Sequence, residues 1–439
     1  MTAFRFAPSP TGFLHVGNAR LAMINWLAAK KMGGQFVLRL DDTDKERSTT
    51  AFAEAIQADM QWLGLNWDTV EKQSDRLDAY EAVFTALKQA GRVYECYETP
   101  QDLDRQRKLA RAQGKPPIYT PPDDERLQRY KEEGRVAHWR FKLTPGTIAF
   151  DDLVRGPVSF DTANLSDPVI RREDGSWLYM LPSAVDDADM NITHVVRGED
   201  HVANTALQVQ MFEAMNKPVP TFAHLPLLTD LDGGGLSKRL GSLALQDLRS
   251  DGVEPLALAS YLTHLGTSDD IKVDEDLSAL VQAFDFNHFS RATPKFDPSV
   301  LMRLNAQLLH ATDFADVKTR LPDSVDEALW LAVRPNIQNI DDVQGWFDIA
   351  NGDIAPVIDG DDDAFLTQAS ELLPAEPWDH DTWGAFTKAV KEATERKGKN
   401  LFMPLRKALT GLEHGPELKV FLPIIGRTRA AARLNGQRG

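Results

Sequence analysis

Two short segments concentrate the side chains able to act on a phosphate. The first is Pro8 to Asn18 (PSPTGFLHVGN), where prolines and glycines interrupt any regular run. Gly12 and Gly17 let the backbone approach a ligand closely. A helix starting there offers unpaired N–H groups and a positive dipole end, and His15 can donate to a phosphate oxygen. The alternative for a single histidine beside an apolar helix is a packed, hydrogen-bonded imidazole; its place at a helix-opening turn favours the ligand. The second segment is Gly233-Gly234-Gly235-Leu236-Ser237-Lys238-Arg239. It lacks the GxxxxGK[ST] spacing of a P-loop, which argues against a P-loop nucleotidase. Lys238 and Arg239 on a mobile glycine loop suit a clamp closing on charge that develops at a phosphoryl group. A solvated surface loop is the plain alternative.

Secondary structure must bring these segments together. AFRFA (residues 3–7) reads as a short strand, and Leu21, Ile24 and Ala28 recur at helical spacing until Gly33-Gly34 stops the helix. Gln35 to Leu40 (QFVLRL) reads as a second buried strand. Strand, helix and strand make a parallel unit with a right-handed crossover, whose ligand crevice lies at the carboxyl ends of the strands. That edge carries Arg5 and Ser9 from the first strand and Asp41, Asp42 and Asp44 from the second. From about Pro100 to Asp187 the pattern changes. A basic helical stretch, Asp104 to Lys115, gives way to strands with turn signals at Arg155-Gly156 and Asp174-Gly175, which predicts an antiparallel insertion. The parallel pattern resumes at Asn191 to Arg197, with a helix after Asp200 and a strand over Thr221 to Leu228. Beyond about Gly252 the periodicity is helical.

Composition narrows the class. A chain of 439 residues suggests about three domains at roughly 150 residues each. With 42% hydrophobic and 26% charged residues it can bury a core. No run approaches the ~18 apolar residues of a membrane span, and the opening MTAFRFAPSP lacks the apolar centre of a signal peptide. The single cysteine, Cys96, excludes a disulfide framework and a four-cysteine metal cluster, so a cytoplasmic protein without a membrane partner is expected. The net charge of −16 argues against a nucleic-acid partner. The charge is uneven, however: residues 341–382 hold twelve acidic and no Lys or Arg side chains, whereas residues 391–439 hold eleven basic against four acidic. A basic tail beside an acidic band is either a polyanion site or two solvated surfaces.

RFAPSPTGFLHVGNAR, LRLDDTDKERS, ITHVVRGEDHVANT, GLSKRLGS and MPLRKALTG, in this order, closely resemble the bacterial glutamyl-tRNA synthetases, which are class I aminoacyl-tRNA synthetases. The resemblance runs from about Phe4 to Leu434. It implies an α/β Rossmann-type catalytic domain with an α+β insertion, followed by all-α C-terminal tRNA-binding regions. The implied divisions are 1–99 and 188–250 for the catalytic halves, 100–187 for an acceptor-stem-binding insertion, 251–322 for a stem-contact helical region and 323–439 for a helical anticodon-binding domain. It further implies ATP-dependent ligation of L-glutamate to tRNA(Glu) through glutamyl-adenylate, with Mg²⁺ accompanying ATP, in a monomer. His15, Gly17, Asn18, Ser237, Lys238 and Arg239 match the ATP-binding positions, with His15, Gly17 and Lys238 the catalytic ones. Arg5, Ser9, Asp41, Tyr179, Arg197 and His201 match the glutamate pocket. There Arg5 is expected to pair with the side-chain carboxylate, and an ion pair of Arg197 with Glu199 or Asp200 is the structural alternative for that residue.

Three departures from the family pattern stand out. Asp41 replaces the usual glutamate, thought to hold the substrate ammonium, and is one methylene shorter. Gly235 stands where the signature loop usually begins with lysine. Relatives with a structural zinc place several Cys and His near Cys96, whereas here one thiol is too few for a tetrahedral site, so no zinc and a buried apolar Cys96 are expected. A short glutamyl-queuosine-type relative is disfavoured by the long helical C-terminal part, and a glutaminyl enzyme by helical rather than β-barrel periodicity there. Two further readings stay open: an enzyme that also charges tRNA(Gln), and a catalytically silent tRNA-binding paralogue.

Overall fold

Short apolar runs with aromatic or β-branched residues commit Ala3–Phe6 (β1) and Gln35–Leu40 (β2) to strands buried on both faces, which pair in parallel with each other and with Thr69–Lys72 (β3) in a computed structural model. The structure describes residues 1–114, 116–236 and 243–439. His194–Gly198 (β9) lies on the other side of β1, followed by Thr221–Leu225 (β10), both parallel to it. β10 stops three residues short of the expected Leu228 because Pro226 has no N–H for the ladder.

The segment read as an antiparallel insertion divides between two sheets. Val93–Cys96 (β4), His138–Phe141 (β5) and Val169–Arg171 (β8) form a separate three-stranded antiparallel sheet. Thr147–Asp152 (β6) and Gly156–Asp161 (β7) form a hairpin that instead extends the main sheet, with β6 parallel to β10. The seven strands run β3-β2-β1-β9-β10-β6-β7, parallel except for the edge strand β7. At the predicted turns Gly156 and Gly175 have φ of +72° and +84°.

The first helix, Val16–Lys31 (α1), is buried on nearly every side, Ala19, Met23, Ile24, Leu27 and Ala28 being fully covered. Ile24 and Ala28 lie within it at the expected spacing, and a helix packed between sheet and neighbours needs apolar residues on its other sides too. Leu21 is half-buried. Thr50–Trp62 (α2) and Leu77–Gln89 (α3) follow β2 and β3, and Pro100–Ala112 (α4) and Asp124–Glu132 (α5) lie in the inserted segment. Met180–Asp189 (α6) and Val202–Ala214 (α7) flank β9.

These elements, through residue 249 and with Leu258–Asp297, make one compact unit; Ser250–Ala257 with Pro298–Gly439 makes the other. The second unit is helical, built on a core that includes Trp330, Leu405, Leu409, Phe421 and Ile425. Within it the buried Arg433 guanidinium donates to the carbonyls of Leu409 (2.7 Å) and Gly352 (3.0 Å), satisfying acceptors that helix and loop ends leave open.

Candidate active site

A cleft of about 720 Å³ opens at the carboxyl ends of the central parallel strands. Arg5, Ser9, His15, Gly17, Asn18, Asp41, Tyr179, Arg197 and His201 all line it. The structure therefore brings together every candidate residue that falls in its described part. Ser237, Lys238 and Arg239 lie outside the described residues.

At one end of the cleft α1 begins. His15 is its N-cap, and Nδ1 accepts the Gly17 N–H at 3.1 Å. That bond places the imidazole proton on Nε2, so a neutral His15 presents an N–H donor. Burial lowers its pKa below the ordinary histidine value and keeps the ring neutral. Gly17, which lines the cleft, also has a purpose beyond the one expected. Its N–H is spent on His15, and a Cβ at this position would lie 2.9 Å from His15 Cε1, so only glycine leaves room for the ring. The Val16 N–H is also taken, by Leu243 O at 3.2 Å.

The same pairing ties the second glycine-rich segment to the first. Leu245 N donates to Leu14 O, so the flank after residue 242 pairs with the His15 turn, while Gly235 and Leu236, on the flank before residue 237, line the same cleft. Gly233 and Gly234 close a turn on Asp230. Asp230 accepts from the N–H of Gly233 through its carbonyl and of Gly234 through Oδ1, and Gly233 has φ of +86°.

The other end of the cleft is lined by charge. Arg5 is buried, and its Nε donates to Asp187 Oδ1 at 3.0 Å. Among the described residues no acceptor meets the two terminal nitrogens of Arg5, which remain available to a ligand. Asp41 borders the cleft but is bound from behind by Arg39, Nε to Oδ1 at 2.7 Å and Nη2 to Oδ2 at 3.2 Å. Arg39 also reaches Asp187 at 2.6 Å and lies 3.7 Å from Asp186. Burial pushes the Asp41 carboxyl up more than Arg39 draws it down, leaving it at about 6. Burial acts on Asp187 in the same way, but Arg5 and Arg39 together outweigh it and hold that carboxyl below the usual range.

Arg197 makes neither of the ion pairs that were the structural alternative to a pocket role: Glu199 pairs with Arg155 at 2.7 Å, and no carboxylate among the described residues lies within 4 Å of the Arg197 nitrogens. Its partners are neutral: Tyr179 Oη (2.9 Å), Thr205 Oγ1 (2.6 Å) and His224 Nε2 (3.3 Å). A buried guanidinium at a cleft wall whose partners are all neutral keeps its charge unspent, which is the chemistry that holds an anion. The His201 ring lies 5.3 Å from that of Tyr179, with its pKa lowered by burial and then by Arg197. Sequence reasoning missed Arg39, Asp187, Thr205 and His224. Two of them carried a signal: Arg39 interrupts the apolar run QFVLRL, and His224 interrupts TFAHL.

The model for the catalytic domain of the class I tRNA synthetases (E and Q) matches residues 2–303. The chain belongs to this family. A model described as an anticodon binding domain matches residues 353–438, within the helical unit. A glutamate–tRNA ligase of Azospirillum brasilense is 54% identical, with 99% of each chain covered, and glutamate–tRNA ligase 2 of Erythrobacter litoralis is 51% identical over the whole of both. The crystal structure of a glutamate tRNA ligase from Elizabethkingia meningosepticum in complex with its amino acid superposes with a TM-score of 0.84. It has 26% identity and covers 99% of this chain and 98% of that one. The parallel sheet carrying the cleft is thus the Rossmann-type catalytic domain of a class I synthetase.

In this synthetase the surroundings of Cys96 differ from expectation. Cys96 is not alone: His138 is its cross-strand neighbour and Glu98 follows two residues on, so three donors lie within 4.8 Å of one another. Nor is Cys96 merely apolar, since Tyr119 Oη lies 3.3 Å from its sulfur and donates to Glu98 at 3.0 Å. Burial pushes the thiol up to about 11, and the Arg140 guanidinium sits 3.8 Å above the Tyr119 ring. A structural zinc takes four ligands dominated by thiolate and imidazole. One neutral thiol already bridged by a tyrosine, beside a fixed cation, does not fit that requirement. Among the described residues no helix is long and apolar enough to cross a membrane.

Proposed function

We infer that this chain is a glutamate–tRNA ligase, charging L-glutamate onto tRNA at the expense of ATP. The observation that carries the reading is the pairing of two sets of groups in one cleft: Arg5 and Arg197 with Asp41, and the His15 turn with its neutral N–H donor. An amino acid with an acidic side chain fits the first set. Its side-chain carboxylate meets Arg5 and Arg197, and its ammonium meets Asp41.

The α-carboxylate, with a pKa of ~3.5, is already an ionised nucleophile at neutral pH and needs no general base. It attacks the α-phosphorus of ATP, the P–O bond to pyrophosphate breaks, and glutamyl-adenylate forms. Catalysis is then alignment and stabilisation of charge on the phosphates. His15 donates through Nε2–H to a phosphate oxygen. Following the family motif, Lys238 meets the charge growing on pyrophosphate, while Ser237 and Arg239 shape its loop and Asn18 lies beside the nucleotide. A terminal ribose hydroxyl of tRNA then attacks the acyl carbon, releasing AMP. Mg²⁺ enters with ATP as part of the substrate.

We assign tRNA(Glu) as the acceptor, with the helical unit reading the anticodon, in a cytoplasmic monomer. Relatives named as ligases over 99% of the chain speak against a silent paralogue. Aminoacylation with glutamate and glutamine against purified tRNA(Glu) and tRNA(Gln) tests the reading. Glutamyl-tRNA(Glu) is the expected product, and its absence with active control tRNA would reject the proposal. Charging of tRNA(Gln) in the same assay would establish the broader acceptor range.

A further inference from the structure

Behind Arg197 lies a buried polar chain that the reaction as described does not use. His224 is fully buried on β10, its Nδ1 2.6 Å from Oδ2 of buried Asp152 at the end of β6. Its Nε2 faces Arg197 Nε at 3.3 Å and Thr205 Oγ1 at 2.8 Å. A guanidinium nitrogen in a protein only donates, so His224 Nε2 accepts and the ring proton resides on Nδ1. The other oxygen of Asp152 accepts three backbone N–H groups, from Val154 (3.0 Å), Arg155 (2.8 Å) and His224 (3.2 Å). This fixes which oxygen faces the imidazole. Burial, reinforced by Arg197 and opposed by Asp152, lowers the His224 pKa and keeps the ring neutral.

We propose that Asp152 and His224 are positioning residues for substrate recognition: Asp152 selects the Nδ1–H tautomer of His224, and the freed Nε2 lone pair orients the Arg197 guanidinium toward the amino-acid side-chain carboxylate. The inference rests on the reading of Arg197 given above. It extends that site to a residue of the β6–β7 hairpin, which sequence reasoning assigned to a separate insertion. Arg197 needs such a device because no carboxylate aligns it from within. An acidic neighbour would orient the fork but would also neutralise it, weakening its hold on the substrate. A neutral acceptor orients it and leaves its charge unspent.

Asp152→Asn tests this with almost no change of shape. The three backbone N–H groups claim the amide oxygen, so the amide NH₂ faces His224 Nδ1 and drives the ring proton to Nε2, where it opposes the Arg197 N–H. An inverted carboxamide would instead meet three donors with a donor, a worse arrangement. Glutamate KM is expected to rise roughly 10- to 100-fold, the loss of one charge-assisted bond, while ATP KM stays within about twofold. Long-range ¹H–¹⁵N spectra of histidine-labelled protein should show His224 changing from the Nδ1–H to the Nε2–H form. In a His224→Gln background there is no tautomer to flip, so adding Asp152→Asn should raise glutamate KM no further. A purely structural Asp152 would raise it as much in that background as in the wild type. The proposal is overturned by an unchanged tautomer, by an unchanged glutamate KM in the single variant, or by an effect that persists in the His224→Gln background. Should Asp152→Asn fail to fold, the tautomer of His224 in the unmodified ligase decides instead, the Nε2–H form overturning the proposal. Arg197→Ala separates the two levels: if it leaves glutamate KM unchanged, the reading of the pocket fails; if it raises KM while Asp152→Asn does not, only the positioning role fails.

Discussion

Replacing Asp41 by asparagine removes one charge at the cleft wall while leaving the side chain's size intact. Asp41 gives one lone pair on each oxygen to Arg39 and retains others for a substrate ammonium. Losing a charge-assisted bond of ~1.5–3 kcal/mol corresponds to a rise in glutamate KM of roughly 10- to 150-fold, with ATP KM nearly unchanged. The fold should tolerate the change, because Arg39 keeps Asp187 at 2.6 Å and Asp186 at 3.7 Å. The sign of the pKa displacement agrees. A carboxyl raised to about 6 contributes stability that is complete below its unfolded value of ~3.9 and lost as pH rises through about 6. The permanently neutral amide of Asp41→Asn therefore forfeits no stabilising charge at neutral pH, and Tm should stay near that of the parent. Substrate binding runs the opposite way. The ammonium needs the ionised form, so glutamate KM in the parent should climb as pH falls through about 6, and Asp41→Asn should flatten that limb. Steady-state kinetics with saturating tRNA on both sides of that pH decide the matter. A KM within about twofold of the parent, far below the ~1.5 kcal/mol effect, or a pH limb that survives in the variant, would refute the reasoning.

Lys238→Ala is expected to slow adenylate formation by roughly two to three orders of magnitude with little change in ATP affinity, measured by single-turnover activation. A near-normal rate would remove Lys238 from the mechanism. Gly17→Ala places a methyl 2.9 Å from His15 Cε1, so it should displace the imidazole and lower kcat while leaving glutamate KM alone. An unchanged kcat would mean that His15 does not act from its present position. Elemental analysis of the purified ligase should find no stoichiometric zinc, and chelators should not shift its Tm; one zinc per chain would show that Cys96, Glu98 and His138 hold a metal after all.

The His15 turn was legible from sequence because its cause is local. Breakers at Pro8, Pro10 and Gly12 and helical spacing after Val16 specify the turn that carries His15. Arg5 and Asp41 were legible as well, since consecutive parallel strands place their ends on one edge. The partners of those residues were not. Arg5 meets Asp187 across 182 residues of chain, and Arg39 meets it across 148, distances over which no periodicity carries information. The β6–β7 hairpin shows the same limit: its turn was readable, but its parallel docking onto β10 depends on a strand about 70 residues later. Cys96 looked solitary for that reason too, since His138 reaches it only through strand pairing.

The position of β1 between β2 and β9 also has a consequence for how the molecule is made. Ala3 donates its N–H to Thr193 Oγ1, 190 residues further along the chain. At a synthesis rate of roughly 5–20 residues per second, β1 leaves the ribosome about 10–40 s before the strand that completes its ladder. During that interval one edge of the β1–β2 pair is open, and Arg5 and Arg39 have neither Asp186 nor Asp187 to meet. An early hydrophobic α1–sheet unit with unmatched arginines along its growing edge is a surface that invites misplaced strands or anionic polymers. A nascent chain that has reached any point between residues 41 and 193 therefore exposes this edge. A translational pause there would prolong exposure of the half-sheet, whereas a pause after residue 225 would come once β9 and β10 are available to close it.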